Sequence, residues 1–338
     1  MFTLRDVFFA FVWIALLVLA GRLIKQRIGW IRRLYLPESI VAGALALLLG
    51  PQVLGAIATS IAGEDTLLSG GVFTEAIRTI WSQSPGIFIN VVFAALFLGE
   101  VIPSPKQIWR RAAPQVVFGQ SLAWGQYVVG IVVTLLILIP VFDANPISAA
   151  LIEIGFEGGH GTAGGMASTF GELGFDDGAD LALGLATVGI ISGIVTGTFL
   201  AKWGRKRGYV LSSREEVETP QPDDLPELSH NDNAAVRERR RELTKGLLID
   251  PLSLNFGFVG IAIIIGWIIL KGLVLLESVT WGLSGFEMMT YVPLFPMALI
   301  GGIIVQMIMV RLDLDALIIP ALTKNIAGMA LDVVVVTA

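Results

Sequence analysis

Hydrophobic residues in this chain come in long unbroken runs. They show neither the every-other-residue alternation of a half-buried strand nor the single apolar stripe of a soluble helix. Eight such runs stand out, at 7–23, 38–58, 86–102, 116–142, 181–203, 252–270, 291–310 and 317–338. A hydrocarbon core about 30 Å thick is crossed by roughly 20 helical residues. The pattern therefore predicts an all-α polytopic membrane protein. Its first run, VFFAFVWIALLVLA, has the length of a signal-peptide core, but a signal peptide carries its basic residues in front. Here Arg5 and Asp6 cancel and the basic cluster follows, so the run is read as a span.

Composition agrees: 54% of the 338 residues are hydrophobic and 15% charged, against about 25% charged in soluble domains. The chain has no cysteine, which excludes disulfides, thiolate metal sites and a thiol nucleophile. Basic residues gather at the ends of apolar runs and form no face interleaved with aromatics, so nucleic acid is not an expected partner.

Charge placement sets sidedness, because basic connections stay cytoplasmic. The first connection carries Lys25, Arg27, Arg32 and Arg33, and the third carries Lys106, Arg110 and Arg111. The long polar segment after the fifth run carries nine, among them Arg205, Lys206, Arg207, Arg237, Arg239, Arg240 and Arg241. Intervening connections set Glu64, Asp65 and Glu75 against Arg78, and Glu277 and Glu287 against Lys271. The N-terminus is expected outside and the linker in the cytoplasm.

Between the fourth and fifth runs, residues 143–180 are apolar enough to hide another crossing. A crossing at 147–170 would put Lys202, Arg205, Lys206 and Arg207 outside, against the rule kept elsewhere. A segment that dips in and returns to its own side, about 146–172, keeps every basic cluster inside. Such backbone is tolerated at membrane depth where protein or water surrounds it. An external surface loop is the alternative.

The chain also echoes itself across the linker. LPESIVAG (36–43) returns as FPMALIGG (295–302), and GIFINVVFAA (86–95) as GMALDVVVVT (328–337), setting Asn90 opposite Asp332. The parity of the crossings makes these inverted repeats, an architecture of secondary transporters with sites near the midplane. Three segments follow: a first transmembrane repeat at 1–210, a cytoplasmic linker at 211–247, and an incomplete second repeat of three spans at 248–338. By the repeat logic, a second glycine-rich hairpin is expected on the order of 70 residues beyond Gly328, in a longer version of the chain.

The candidate chemistry lies in the hairpin, where GFEGGHGTAGG (155–165) opens a run of seven glycines ending at Gly171. Each glycine costs a helix about 1 kcal/mol relative to alanine, so the run is expected to break it. A broken helix offers N–H groups to an anion and C=O groups to a cation. Gly158, Gly159 and Gly161 permit close backbone approach, and Thr162 and Ser168 add hydroxyl oxygens for Na⁺. His160, ionisable within the membrane, is either functional or a neutral imidazole that fixes the loop. Glu157 is either a proton-linked or selectivity group or a residue facing external water. Asn90 and Asp332 are candidate Na⁺ ligands, Asp332 alternatively being hydrated at the cytoplasmic end of its span. Glu153, Glu157 and His160 have a spacing that metal ligands use, but the glycines interrupt the helix and HExxH is absent.

GGHGTAGG followed by an apolar span ending in KWGRKRG resembles the sodium/glutamate symporter family, from the first span to the end of the chain. That resemblance implies Na⁺-coupled uptake of L-glutamate or a related carboxylate by a bacterial inner-membrane protein. It also implies inverted five-helix repeats with re-entrant loops, alternating access and a homodimer, with no cofactor beyond the coupling ion. Gly158, Gly159, His160, Gly161 and Thr162 match the family's first loop motif, and they are the expected substrate-binding residues. Glu157 departs from it, and its carboxylate would repel an anionic substrate. The alternatives are a cation/proton antiporter with Glu157, His160 and Asp332 as a relay, and a membrane-embedded hydrolase using Glu153, Glu157 and His160.

Overall fold

The computed structural model describes residues 2–33, 37–63, 66–102, 105–209, 234–245, 249–284 and 287–337. Most of the linker (210–233, with His230), the acidic pair Glu64 and Asp65, and Leu36 of the first echo lie outside the described residues. Every regular element among the described residues is helical. The principal helices are α1 (Leu4–Arg27), α2 (Glu38–Ala62), α3 (Glu75–Ala95) and α4 (Pro105–Val133). After these come the short α5 (Gly159–Gly165) and α6 (Ala167–Glu172), then α7 (Gly178–Lys206) and the linker helix α8 (Ala234–Thr244). The last three are α9 (Pro251–Val279), α10 (Leu294–Arg311) and α11 (Pro320–Thr337). A π-turn (Thr134–Leu138) carries α4 on into Ile139–Phe142, and another (Pro51–Gly55) lies within α2.

Among the described residues, seven helical stretches are long and apolar enough to cross a membrane: α1, α2, Ala112–Phe142, α7, α9, α10 and α11. The eighth expected span, 86–102, differs. Its helix begins eleven residues earlier, at Glu75, and ends at Ala95. The early start brings in Arg78, Thr79, Ser82, Gln83 and Ser84, which dilute its hydropathy. The early end is a turn at Gly99, where φ is +82°. The span expected at 252–270 continues through Lys271 to Val279, because one lysine among apolar residues does not stop a helix.

The chain forms two compact units. One comprises Met1–Ile89, Val129–Ile194 and Ala330–Ala338. Its α1 is started by a capping box, Thr3 Oγ1 accepting from Asp6 N and Asp6 Oδ2 accepting from Thr3 N. Ala10, Ile14, Leu17 and Gly21 form the buried stripe of α1, while Phe8, Leu16, Leu19 and Leu23 around it are exposed. A helix apolar on all sides but buried on one is solvated by lipid. The stripe packs with Ala42, Phe73, Ile77, Trp81, Val333 and Val336, and Trp81 donates its indole N–H to Ala10 O at 3.1 Å.

The other unit comprises Asn90–Val128 and Val195–Met329. Gly266 and Gly301 bring α9 and α10 so close that a methyl on either would strike the partner backbone. Asn255, fully buried, donates to Pro251 O and Leu317 O and accepts from Ile319 N. Gln306 accepts from Gly99 N at 2.8 Å, and Lys324 pairs with Glu100 at 2.9 Å.

Candidate functional site

The glycine-rich segment belongs to the first of these units. Asp143, in the left-handed region (φ 50°), ends the preceding helix. Asn145 then accepts from Ile147 N and donates to Gly174 O at 3.3 Å. That second bond ties the start of the segment to its end, 29 residues later. Between them the chain is a 3₁₀ turn (Pro146–Ala150), a π-turn (Glu153–Glu157), α5 and α6, none long enough to cross a bilayer. Leu151, Ile154, Ala163, Phe170 and Phe175 form its own core, together with Ala182 and Leu183 of α7.

The glycines break the helix once, not throughout. Gly159, at φ +66°, is the break, a conformation open to glycine and strained for other residues. Gly161 and Gly164 instead let α5 lie against α3. A methyl on Gly161 would stand 2.6 Å from Ile89 Cδ1, and one on Gly164 would strike Pro85. The helix-breaking tendency is offset there by close packing, which at Gly164 a Cβ would prevent.

His160 is buried, and its Nε2 lies 2.9 Å from Thr187 Oγ1 on α7. The Thr187 hydroxyl donates its one proton to Leu183 O at 3.2 Å. The hydroxyl thus links the imidazole on α5 to the backbone of α7.

His160 and Gly164 line a cavity of about 630 Å³. Its walls come from α2 (Gly43, Leu47) and the π-turn within it (Gln52), α3 (Arg78, Trp81, Ser82, Pro85), α7 (Asp180, Thr187) and α11 (Val336, Thr337). Arg78, Ser82 and Pro85 follow the i, i+4, i+7 spacing of one helix face. Of the candidate substrate, ion and proton residues named from the sequence, His160 is the one in this lining. Thr162 is half-buried beside Gly158, and Gly158, Gly159 and Gly161 shape the turn. Ser168 and Glu157 are exposed, and Glu153 is half-buried. Asp332 is half-buried, accepts a hydrogen bond from Ser39 and stands near Glu38. Asn90, half-buried on α3, falls in the second unit. Among the described residues, no group of three His, Asp or Glu side chains could hold a metal ion.

Nothing in the local sequence marks Asp180, Thr187 or Gln52 as site residues, and Arg78 reads there as a charge in a connection. A usable signal was present for Arg78: Ile77, Ile80, Trp81 and Ser84 already repeat with helical period ahead of the apolar run.

A family model described as sodium/glutamate symporter matches residues 115–337, taking in the glycine-rich segment and α7 through α11. Comparison with curated proteins and with solved structures gives no match.

Proposed function

Because the chain belongs to the sodium/glutamate symporter family, a family of transporters and not of enzymes, we propose that it couples Na⁺ entry to uptake of L-glutamate, or of a related carboxylate or amino acid, by alternating access. The family match over 115–337 carries this reading. It is a multi-pass membrane protein, and the seven long apolar helices agree with that.

The finer parts of the reading have supports of their own. The bond from Asn145 to Gly174 favours a re-entrant hairpin, since a segment whose ends meet returns to its own side. Matching contacts favour the repeat. Gly21 of α1 lies against the Glu38 carbonyl, and Gly266 of α9 against the carbonyl of Met297, the counterpart of Glu38. Gly43 lies against Val335 and Val336, while Gly302 lies against Ala94, the counterpart of Val336. The basic connections favour an external N-terminus and a cytoplasmic linker in a bacterial inner membrane, and a homodimer follows the family pattern.

Substrate is taken at the Gly158–Thr162 turn and the cavity beside His160. Thr162, Ser168 and Asp332 are the Na⁺ oxygen donors of the first unit and Asn90 is a candidate donor of the second, with Glu157 as a selectivity or proton-linked group. Of the relay that antiport would need, His160 alone lines the cavity.

The test is uptake of labelled L-glutamate into proteoliposomes under an inward Na⁺ gradient. Uptake should collapse when K⁺ replaces Na⁺. Equal uptake in the two ions would overturn the symport reading, and Na⁺-driven proton flux without organic substrate would favour antiport.

A further inference from the structure

Among the described residues, the ionisable lining of the 630 Å³ cavity consists of His160 and two charged side chains of opposite sign, Arg78 on α3 and Asp180 in the first turn of α7. Arg78 is half-buried, and its Nε is shut off from solvent with no hydrogen-bond partner among the described residues. Neither Arg78 nor Asp180 forms an ion pair within 4.0 Å among the described residues. A guanidinium whose Nε is buried without a partner, at the wall of a cavity inside a membrane protein, marks a ligand path. Its planar fork matches a carboxylate, which it can bind through two parallel hydrogen bonds. The cavity volume lies within the roughly 300–1,000 Å³ typical of small-molecule sites.

We propose that Arg78 and Asp180 are the two poles that select the substrate. Arg78 receives a substrate carboxylate and Asp180 receives the α-ammonium, so the site prefers an amino acid to a dicarboxylate of the same length without an amine. This rests on the transporter reading above and adds to it the residues that discriminate. Arg78 lies outside the residues 115–337 that the family model matches, so the assignment comes from the cavity and not from the match. Asp180 also suits the positive end of the α7 dipole, and a role confined to that would leave selectivity untouched by its removal.

The experiment uses the full chain in proteoliposomes under a Na⁺ gradient, with labelled L-glutamate competed by unlabelled L-glutamate or by glutarate, its analogue without the amine. In the parent protein glutarate should compete at least about tenfold more weakly, the size of effect expected of one charge-assisted contact. Asp180→Asn should bring that ratio to within about threefold, by weakening L-glutamate and leaving glutarate unchanged. Arg78→Gln should lower uptake at least about thirtyfold, and Arg78→Lys should retain uptake with a raised half-saturation concentration. The competition ratio does not depend on how much protein folds, so even a poorly expressed Asp180→Asn protein separates the two outcomes. Parent-level uptake by Arg78→Gln, or an unchanged ratio in Asp180→Asn, overturns the assignment while symport stands. Absence of Na⁺-driven L-glutamate uptake in the parent protein overturns symport and the assignment together.

Discussion

Gly161 and Gly164 face α3 from the same short helix, yet their neighbours differ in what they can yield. Opposite Gly161 stands the tip of Ile89, which can turn away; opposite Gly164 stands the Pro85 ring, fixed to its own backbone. Gly161→Ala should therefore leave the thermal midpoint of the detergent-solubilised protein nearly unchanged. Gly164→Ala should lower stability by about 1–3 kcal/mol, the cost of overpacking. Equal midpoints for the two would mean that α5 does not press on α3 at Pro85. Thr162 tests a different property. If its hydroxyl is a Na⁺ ligand, Thr162→Ala should raise the Na⁺ concentration for half-maximal uptake while the amount of protein in the membrane stays constant. An unchanged Na⁺ dependence would remove Thr162 from the ion site.

At the scale of elements, two contacts outside the cavity hold segments that hydropathy describes only as loops. Glu277, 2% exposed, ends α9 by accepting from Trp281 Nε1 at 2.9 Å, Met288 N at 2.7 Å and Met289 N at 2.8 Å. A glutamine has one acceptor oxygen, and its NH₂ would face a donor. Glu277→Gln should therefore destabilise the protein by about 1–3 kcal/mol, read as a lower thermal midpoint. The linker helix α8 is held by charge: Arg239 pairs with Asp313 and lies 3.5 Å from Asp315, and Arg240 donates to Ala316 O at 2.6 Å. Partly exposed pairs of this kind are worth about 0–1 kcal/mol each and weaken with salt. Replacing Arg239 and Arg240 by Gln should expose residues 234–245 to hydrogen exchange, and choline chloride at high ionic strength should do the same to the parent protein. Unchanged protection in both would mean that these contacts do not hold α8. The sequence presented Glu277 and the linker arginines as loop charges, because a hydrogen bond eleven residues away, or an ion pair 74 residues away, leaves no local pattern.

For the whole molecule, symport requires that Na⁺ and substrate strengthen each other's binding by one common factor. If saturating Na⁺ tightens L-glutamate binding by some ratio, saturating L-glutamate should tighten Na⁺ binding by the same ratio. Both are measurable at equilibrium on purified protein, and unequal ratios would rule out a single coupled site. The sequence alone determined the helical class, seven of the eight expected spans, the place of the glycine-rich segment and the family. Each of these rests on local periodicity, on bilayer thickness or on a contiguous motif, and all of them can be read along one dimension. It did not determine that the glycines mostly serve close packing, that Thr187 orients His160, or that Arg78 and Asp180 line one cavity with it. Thr187 lies 27 positions beyond His160, and Arg78 is farther still in sequence, hidden in a helix whose polar start masks it. Only packing brings their side chains together, since burial and proximity are properties of the folded chain and not of any one segment.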